Sequence, residues 1–296
     1  MIPVQTSKGT FNVWTRKVGD SESRKVLLLH GGPGATHEYL EIFEQHLPPV
    51  GIEIYFYDQL GSHHSDQPDE PELWEIDRFV DEVEQVRQAL GLDGSNFFLF
   101  GHSWGGILAL EYALAHPEPL KGLIISNMMS SVPAYNRYAE DVLMADMDSS
   151  VLAELKALEA AEDYENPRYL ELLMQNHYVD HVLRRPIDQW PDAVNRGFDH
   201  INPKIYIPMQ GPSELGARGK LEHWDRSADL PGLTMPTLVI GAEHDTMDPK
   251  HMRWMSEALG NGHYLHCPEG SHLAPYDDTD AYFSGLIRFI KDIDQA

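Results

Sequence analysis

A single cysteine, Cys267, in 296 residues excludes any intrachain disulfide. That usage fits a reducing compartment. Cys267 closes a strand-like run just before a proline, where a small buried hydrophobe is expected rather than a nucleophile. Basic residues are scarce: 22 Lys and Arg stand against 47 Asp and Glu, a formal net charge of −25. Nucleic acids and anionic membranes both require a basic face, so neither is expected as a partner. Long apolar runs are also lacking, and none approaches the ~20 residues that cross a bilayer. The opening Met1-Ile2-Pro3-Val4-Gln5-Thr6 has no basic stretch followed by an apolar core, so no signal peptide is expected. With these absences, a soluble, cytoplasmic chain is expected. With 42% hydrophobic residues it can bury a sizeable core.

What is present alternates. Phe11–Lys17, Lys25–Leu29, Ile52–Tyr57, Asn96–Phe100 and Gly122–Ser126 read as strands, most of them short apolar runs suited to a covered parallel sheet. Between them, Asp77–Leu90 places Phe79, Val80, Val83, Val86 and Leu90 at helical spacing. The rhythm stops after Asn127. Up to Trp224 the chain is rich in Met, Tyr and acids, with helical periodicity at Val151–Ala160 and Tyr169–Val182 and no convincing strand. It resumes at Pro236–Gly241, the helix His251–Leu259, the strand His263–His266 and the helix Ala281–Ile293. The expected fold class is α/β: a mostly parallel sheet flanked by helices. Its core spans 1–127 and 229–296, with a helical cap at 128–228.

The most informative stretch is Asn96-Phe97-Phe98-Leu99-Phe100-Gly101-His102-Ser103-Trp104-Gly105-Gly106. A strand, a Gly-x-Ser-x-Gly turn and a run of helix formers make a nucleophile elbow, which lifts a serine hydroxyl to the top of a sheet. Gly101 and Gly105 allow strand and helix to approach closely. A serine hydroxyl needs a histidine base and a carboxylate to orient that base. Gly241-Ala242-Glu243-His244-Asp245 follows one strand and offers Asp245, with Glu243 and Asp248 as weaker candidates. Cys267-Pro268-Glu269-Gly270-Ser271-His272 follows the next and offers His272. His263 and His266, within the strand, are expected to be structural, and His102 to pack away from Ser103. Acyl transfer also needs two N–H donors for the oxyanion. The backbone of Trp104, after the nucleophile, and of Gly32, in the glycine-rich loop His30–Gly34, are the expected donors. That loop has neither the Lys-Ser/Thr of a phosphate cradle nor a dinucleotide spacing.

Together, His30-Gly31-Gly32-Pro33-Gly34, Tyr57-Asp58-Gln59-Leu60-Gly61, Gly101-His102-Ser103-Trp104-Gly105-Gly106 and Gly270-Ser271-His272 resemble the proline iminopeptidases over nearly the whole chain. These are α/β-hydrolase-fold serine peptidases that remove an N-terminal residue. The resemblance implies release of proline or another small apolar residue from short peptides or aminoacyl amides through an acyl-enzyme, without cofactor or metal. It also implies that Glu214, in the cap segment Tyr206–Glu214, binds the substrate's free α-amino group. Similar enzymes often carry a second glutamate directly after the triad aspartate; here that position is Thr246. Ser62-His63-His64-Ser65 stands where many relatives have a further glycine. The paired histidines are expected to pack in the loop or line the cleft, since adjacent side chains diverge and no third metal ligand is evident. Two alternatives remain open: an esterase, lactonase or amidase acting on acyl substrates without a free amine, and a non-catalytic binding protein on the same fold.

Overall fold

The computed structural model describes residues 1–295. Strands β1 (Ile2–Thr6), β2 (Gly9–Val18), β3 (Lys25–Leu29), β4 (Glu53–Asp58), β5 (Phe97–His102), β6 (Gly122–Ser126), β7 (Thr237–Ala242) and β8 (Gly262–Cys267) form one eight-stranded sheet. Its order is β1-β2-β4-β3-β5-β6-β7-β8. The first two pairings, β1–β2 and β2–β4, are antiparallel and the rest parallel. Every residue of β4, β5, β6 and β7 is buried. Strands covered on both faces need apolar side chains at every position, which explains runs such as Phe97-Phe98-Leu99-Phe100.

The order determines where a site can form. From β3 the chain goes to β4 on one side and from β5 to β6 on the other, so the loops leaving β3 and β5 diverge and open a crevice at their carboxyl ends. His30–Gly34 leaves β3 and Ser103 leaves β5, with Leu29 paired to Gly101 across the seam. Helix α1 (Ile76–Leu90) buries Phe79, Val80, Val83 and Val86 on one face, as its period requires. Helix α2 (Trp104–Ala115) is buried from Trp104 through Ala113. It is apolar on all sides because it is covered on all sides.

Between β6 and β7 the chain makes helices, including Val132–Tyr138, Ser149–Ala160, Pro167–Leu173, Asp192–Asp199 and Pro203–Met209. The stretch expected as one helix over Tyr169–Val182 is instead α-helical to Leu173, passes through a wider π turn at Met174–Tyr178 and ends at Val179–His181. A π turn inserts an extra residue without breaking the helix, a change that hydrophobic periodicity hardly registers. The segment is anchored where it returns. Glu111 of α2 accepts hydrogen bonds from the Trp224 indole and the Arg226 guanidinium, and Ser131 Oγ donates to Asp225. At its far side Asn202 N donates to Gly34 O and Asn202 Nδ2 to Gly61 O, each at 2.8 Å. No helix among the described residues is long and apolar enough to cross a membrane.

Candidate active site

Ser103 sits between β5 and α2 at φ 54°, ψ −127°, a left-handed backbone that non-glycine residues rarely adopt. The neighbouring glycines allow the turn. A Cβ on Gly101 would lie 1.9 Å from the Gly105 carbonyl oxygen, and one on Gly105 would lie 2.2 Å from that of Leu29. No larger residue fits either position.

Asp245 and His272 follow β7 and β8, and the parallel register of those strands carries both loops to the same edge of the sheet. His272 Nδ1 lies 2.8 Å from Asp245 Oδ1, with Asp245 fully buried. A carboxylate accepts only, so Nδ1 carries the proton and Nε2 is the free base. Burial pushes the His272 imidazole down, but the charge and hydrogen bond of Asp245, with help from Glu214 and Asp277, raise it above 6.5 overall. The weaker candidates are occupied elsewhere. Asp248 caps the helix Pro249–Ala258 through Lys250 N, and Glu243 faces His266 at the surface.

Residues that the motifs did not single out hold this pair. Asn127, also left-handed at φ 54°, donates from Nδ2 to Asp245 Oδ2 at 2.7 Å, and Ser126 Oγ donates to its Oδ1. Thr246 Oγ1 donates to Asp245 Oδ1 at 3.3 Å and lies 3.2 Å from His272 Nδ1. Thr246 is therefore packed against the back of the carboxylate–imidazole pair. An Asn at a strand end beside a glycine-free turn was the one available signal for Asn127.

His102 does turn away from Ser103, but it has a bonding role as well as a packing one. Its Nε2 donates to the His272 carbonyl at 2.8 Å, which leaves Nδ1 to accept from the Tyr39 hydroxyl at 3.0 Å. Burial first, and then the nearby His272, lower His102 to about 3, so it stays neutral. The Tyr39 oxygen in turn accepts from the Gly31 N–H at 2.7 Å. With Gly31 engaged, the next amide in the loop, Gly32, remains for an oxyanion, and its φ of +107° is open to glycine alone. Trp104 begins α2, so its N–H has no acceptor within the helix.

The remaining motif residues lock the loop. His30 Nδ1 donates to Gly31 O, its Nε2 accepts from Gln59 N, and Gln59 Nε2 donates back to His30 O. Gln59 Oε1 also accepts from the Trp104 indole at 2.8 Å. Burial lowers His30 to about 4, which keeps it a neutral strut. The His-Gly-Gly-Pro-Gly loop, the Tyr-Asp-Gln-Leu-Gly turn and the elbow thus form one hydrogen-bonded unit.

Ser103, His272, Gly31 and Gly32 open into a cavity of about 510 Å³ including its mouth. Its other wall is apolar, built from Val182, Val194, Phe198, Ile201 and Leu273. Glu214 faces this cavity. Tyr206 OH donates to Glu214 Oε1 at 2.5 Å, while Tyr135 OH donates to its backbone carbonyl at 2.7 Å. The Glu214 carboxylate, the Ser103 hydroxyl and the His272 imidazole share one cavity whose lining is mostly apolar.

A family model described as the alpha/beta hydrolase fold matches residues 25–279. The proline iminopeptidase of Flavobacterium johnsoniae is 53% identical over 293 residues, covering 99% of this chain and 98% of that one. The proline iminopeptidase of Chitinophaga pinensis is 49% identical over 296 residues, covering 100% and 99%. Among solved structures, the proline iminopeptidase of Mycobacterium smegmatis superposes with a TM-score of 0.85 at 28% identity, covering 96% of each chain. VinJ superposes with a TM-score of 0.90 at 29% identity, covering 98% of each. The chain belongs to the alpha/beta hydrolase fold family and, within it, to the proline iminopeptidases.

Proposed function

We propose that this protein is a serine aminopeptidase that releases an N-terminal proline, or another small apolar residue, from short peptides and aminoacyl amides. The observation that carries this reading is the Glu214 carboxylate, fixed by Tyr206 in the same apolar cavity as Ser103 and His272. A half-buried anion facing a serine and a histidine suits a substrate with a cation next to its reacting carbonyl. Relatives that share almost the full length of the chain carry the name proline iminopeptidase. The helical stretch 128–228 acts as the cap that supplies Glu214 and most of the apolar wall. The one cysteine, buried and with its thiol pushed up by burial, suits a reducing compartment such as the cytoplasm.

In the mechanism, His272 Nε2 takes the Ser103 proton as Oγ attacks the carbonyl carbon of the first residue. The tetrahedral oxyanion is received by the Gly32 and Trp104 N–H groups. Asp245 stabilises the imidazolium through Nδ1–H, and Asn127 and Thr246 keep that carboxylate in place. His272 then protonates the departing amine. Water, activated by the same imidazole, attacks the acyl-enzyme, releasing the amino acid and restoring Ser103.

A proline arylamide and its N-acetyl derivative separate this reading from the esterase or amidase alternative. Acetylation removes the charge that Glu214 would hold, so hydrolysis should fall by at least about 100-fold in kcat/KM. Equal rates on both substrates would overturn the aminopeptidase assignment.

The His272 shift has a measurable consequence. Catalysis needs the neutral imidazole, and a raised pKa moves its protonation to higher pH. The acid limb of kcat/KM on p-nitrophenyl acetate, a substrate with no titrating amine, should therefore fall above pH 6.5. Glu214→Gln removes an anion that raises His272 and should move that limb to lower pH. A limb below 6.5 in the unmodified enzyme would contradict the upward shift at His272.

A further inference from the structure

The sequence makes no third metal ligand for His63 and His64 evident, but the fold brings His200 and Glu38 to His63. The two rings do not diverge; their centroids lie 4.1 Å apart. On its other side the His63 ring stacks on His200 of the cap, with centroids 3.7 Å apart and planes 12° from parallel. His200 Nδ1 lies 2.7 Å from Glu38 Oε2. Glu38 is 3% exposed and opens the helical turn Glu38–Gln45 that follows β3. One ligand atom from each of Glu38, His63 and His200 falls within 4.8 Å of the others.

We propose that Glu38, His63 and His200 form a site for a divalent transition-metal ion of the zinc class, clamping cap to core. Two imidazoles and a carboxylate are a donor set that zinc favours, with Zn–N and Zn–O bonds of about 2.0–2.2 Å. The carboxylate is already oriented: Thr36 Oγ1 donates to Oε2 at 3.0 Å, and Arg196 engages the other oxygen, Oε1. Oε2 is thereby left facing the imidazoles. His63 and His200 are half-exposed, which opens a path for the ion and room for water as a fourth ligand. In a tetrahedral site the ligand atoms stand about 3.3 Å apart, so the cluster must contract and the two rings must turn out of their stack. The ion takes the place of the present contact between His200 Nδ1 and Glu38 Oε2.

The location gives the site a consequence. His200 directly follows the helix Asp192–Asp199, which contributes Val194, Gly197 and Phe198 to the substrate cavity. The ligands come from three separate chain segments, so the ion binds the folded state and not the unfolded one. Binding should therefore raise Tm and pin that cavity wall.

The test is zinc chloride titrated calorimetrically into chelator-stripped full-length protein, with Tm followed in parallel. One tight equivalent and a zinc-dependent rise in Tm are expected. His63→Gln and His200→Gln, tested separately, should each weaken that equivalent by at least about 100-fold and abolish the rise. Peptidase activity in chelator should be unchanged in both. His272→Ala should keep the tight equivalent. The proposal is overturned if both glutamine variants bind zinc as the unmodified protein does. It is also overturned if the tight equivalent is lost in His272→Ala, or if the unmodified protein has none.

Discussion

Ser103→Ala should abolish turnover of every substrate, lowering kcat by roughly 10⁴- to 10⁶-fold, the range found when a triad nucleophile is removed. The loss is this large because Asp245, His272 and the oxyanion donors serve one covalent step, and without Oγ there is no acyl-enzyme to form. The fold should not follow. Alanine keeps the Cβ that already occupies the left-handed backbone at φ 54°, and the turn depends on Gly101 and Gly105 rather than on the hydroxyl. Turnover and Tm, measured on one preparation, are the check. A variant that keeps more than about a tenth of the activity would remove Ser103 from the mechanism. A variant that unfolds would mean the hydroxyl also supports the elbow.

The second large effect belongs to Glu214. Glu214→Gln preserves shape and an oxygen that can still accept from Tyr206 OH, but removes the charge. Leaving a substrate ammonium or iminium without its anion in a partly dry cavity costs about 2–5 kcal/mol. Hydrolysis of proline arylamide should therefore lose about 30- to 5,000-fold in kcat/KM, while p-nitrophenyl acetate, having no amine, should change only a few-fold. Comparing the two substrates separates amine recognition from a general disturbance of the cavity. Equal losses on both would show that Glu214 shapes the site without reading the amine. Thr246 is turned toward Asp245 and His272, and Glu214 is the carboxylate among the residues lining the cavity, so the amine prediction rests on it.

Much of the core could be read from the chain. Lys25–Leu29 and Gly122–Ser126 are strands at the expected bounds, because a strand covered on both faces reads as a nearly continuous apolar run. β1 was not anticipated. Its Ile2 and Val4 alternate with exposed Pro3 and Gln5 over too short a span to stand out, and it is held by antiparallel pairing to β2. The short helical turn Glu38–Gln45 and the π turn at Met174–Tyr178 escaped for a related reason. Local composition only weakly favours such turns, and tertiary packing selects them.

The sequence by itself determined the elbow that presents Ser103. A Gly-x-Ser-x-Gly turn between an apolar strand and a helix has few uses, and loop acids and histidines after later strands, in the right order, narrow them further. Such features are legible because they depend on neighbours along the chain. The tertiary structure alone decided what depends on distant residues. It placed Asn127 and Thr246 behind Asp245, and engaged Gly31 with Tyr39 so that Gly32 is left for the oxyanion. It also brought Glu38, His63 and His200 together from separate segments. A hydrogen bond or a ligand set is satisfied in space, and residues 137 positions apart, such as His63 and His200, carry no mark of their proximity until the cap has folded onto the core.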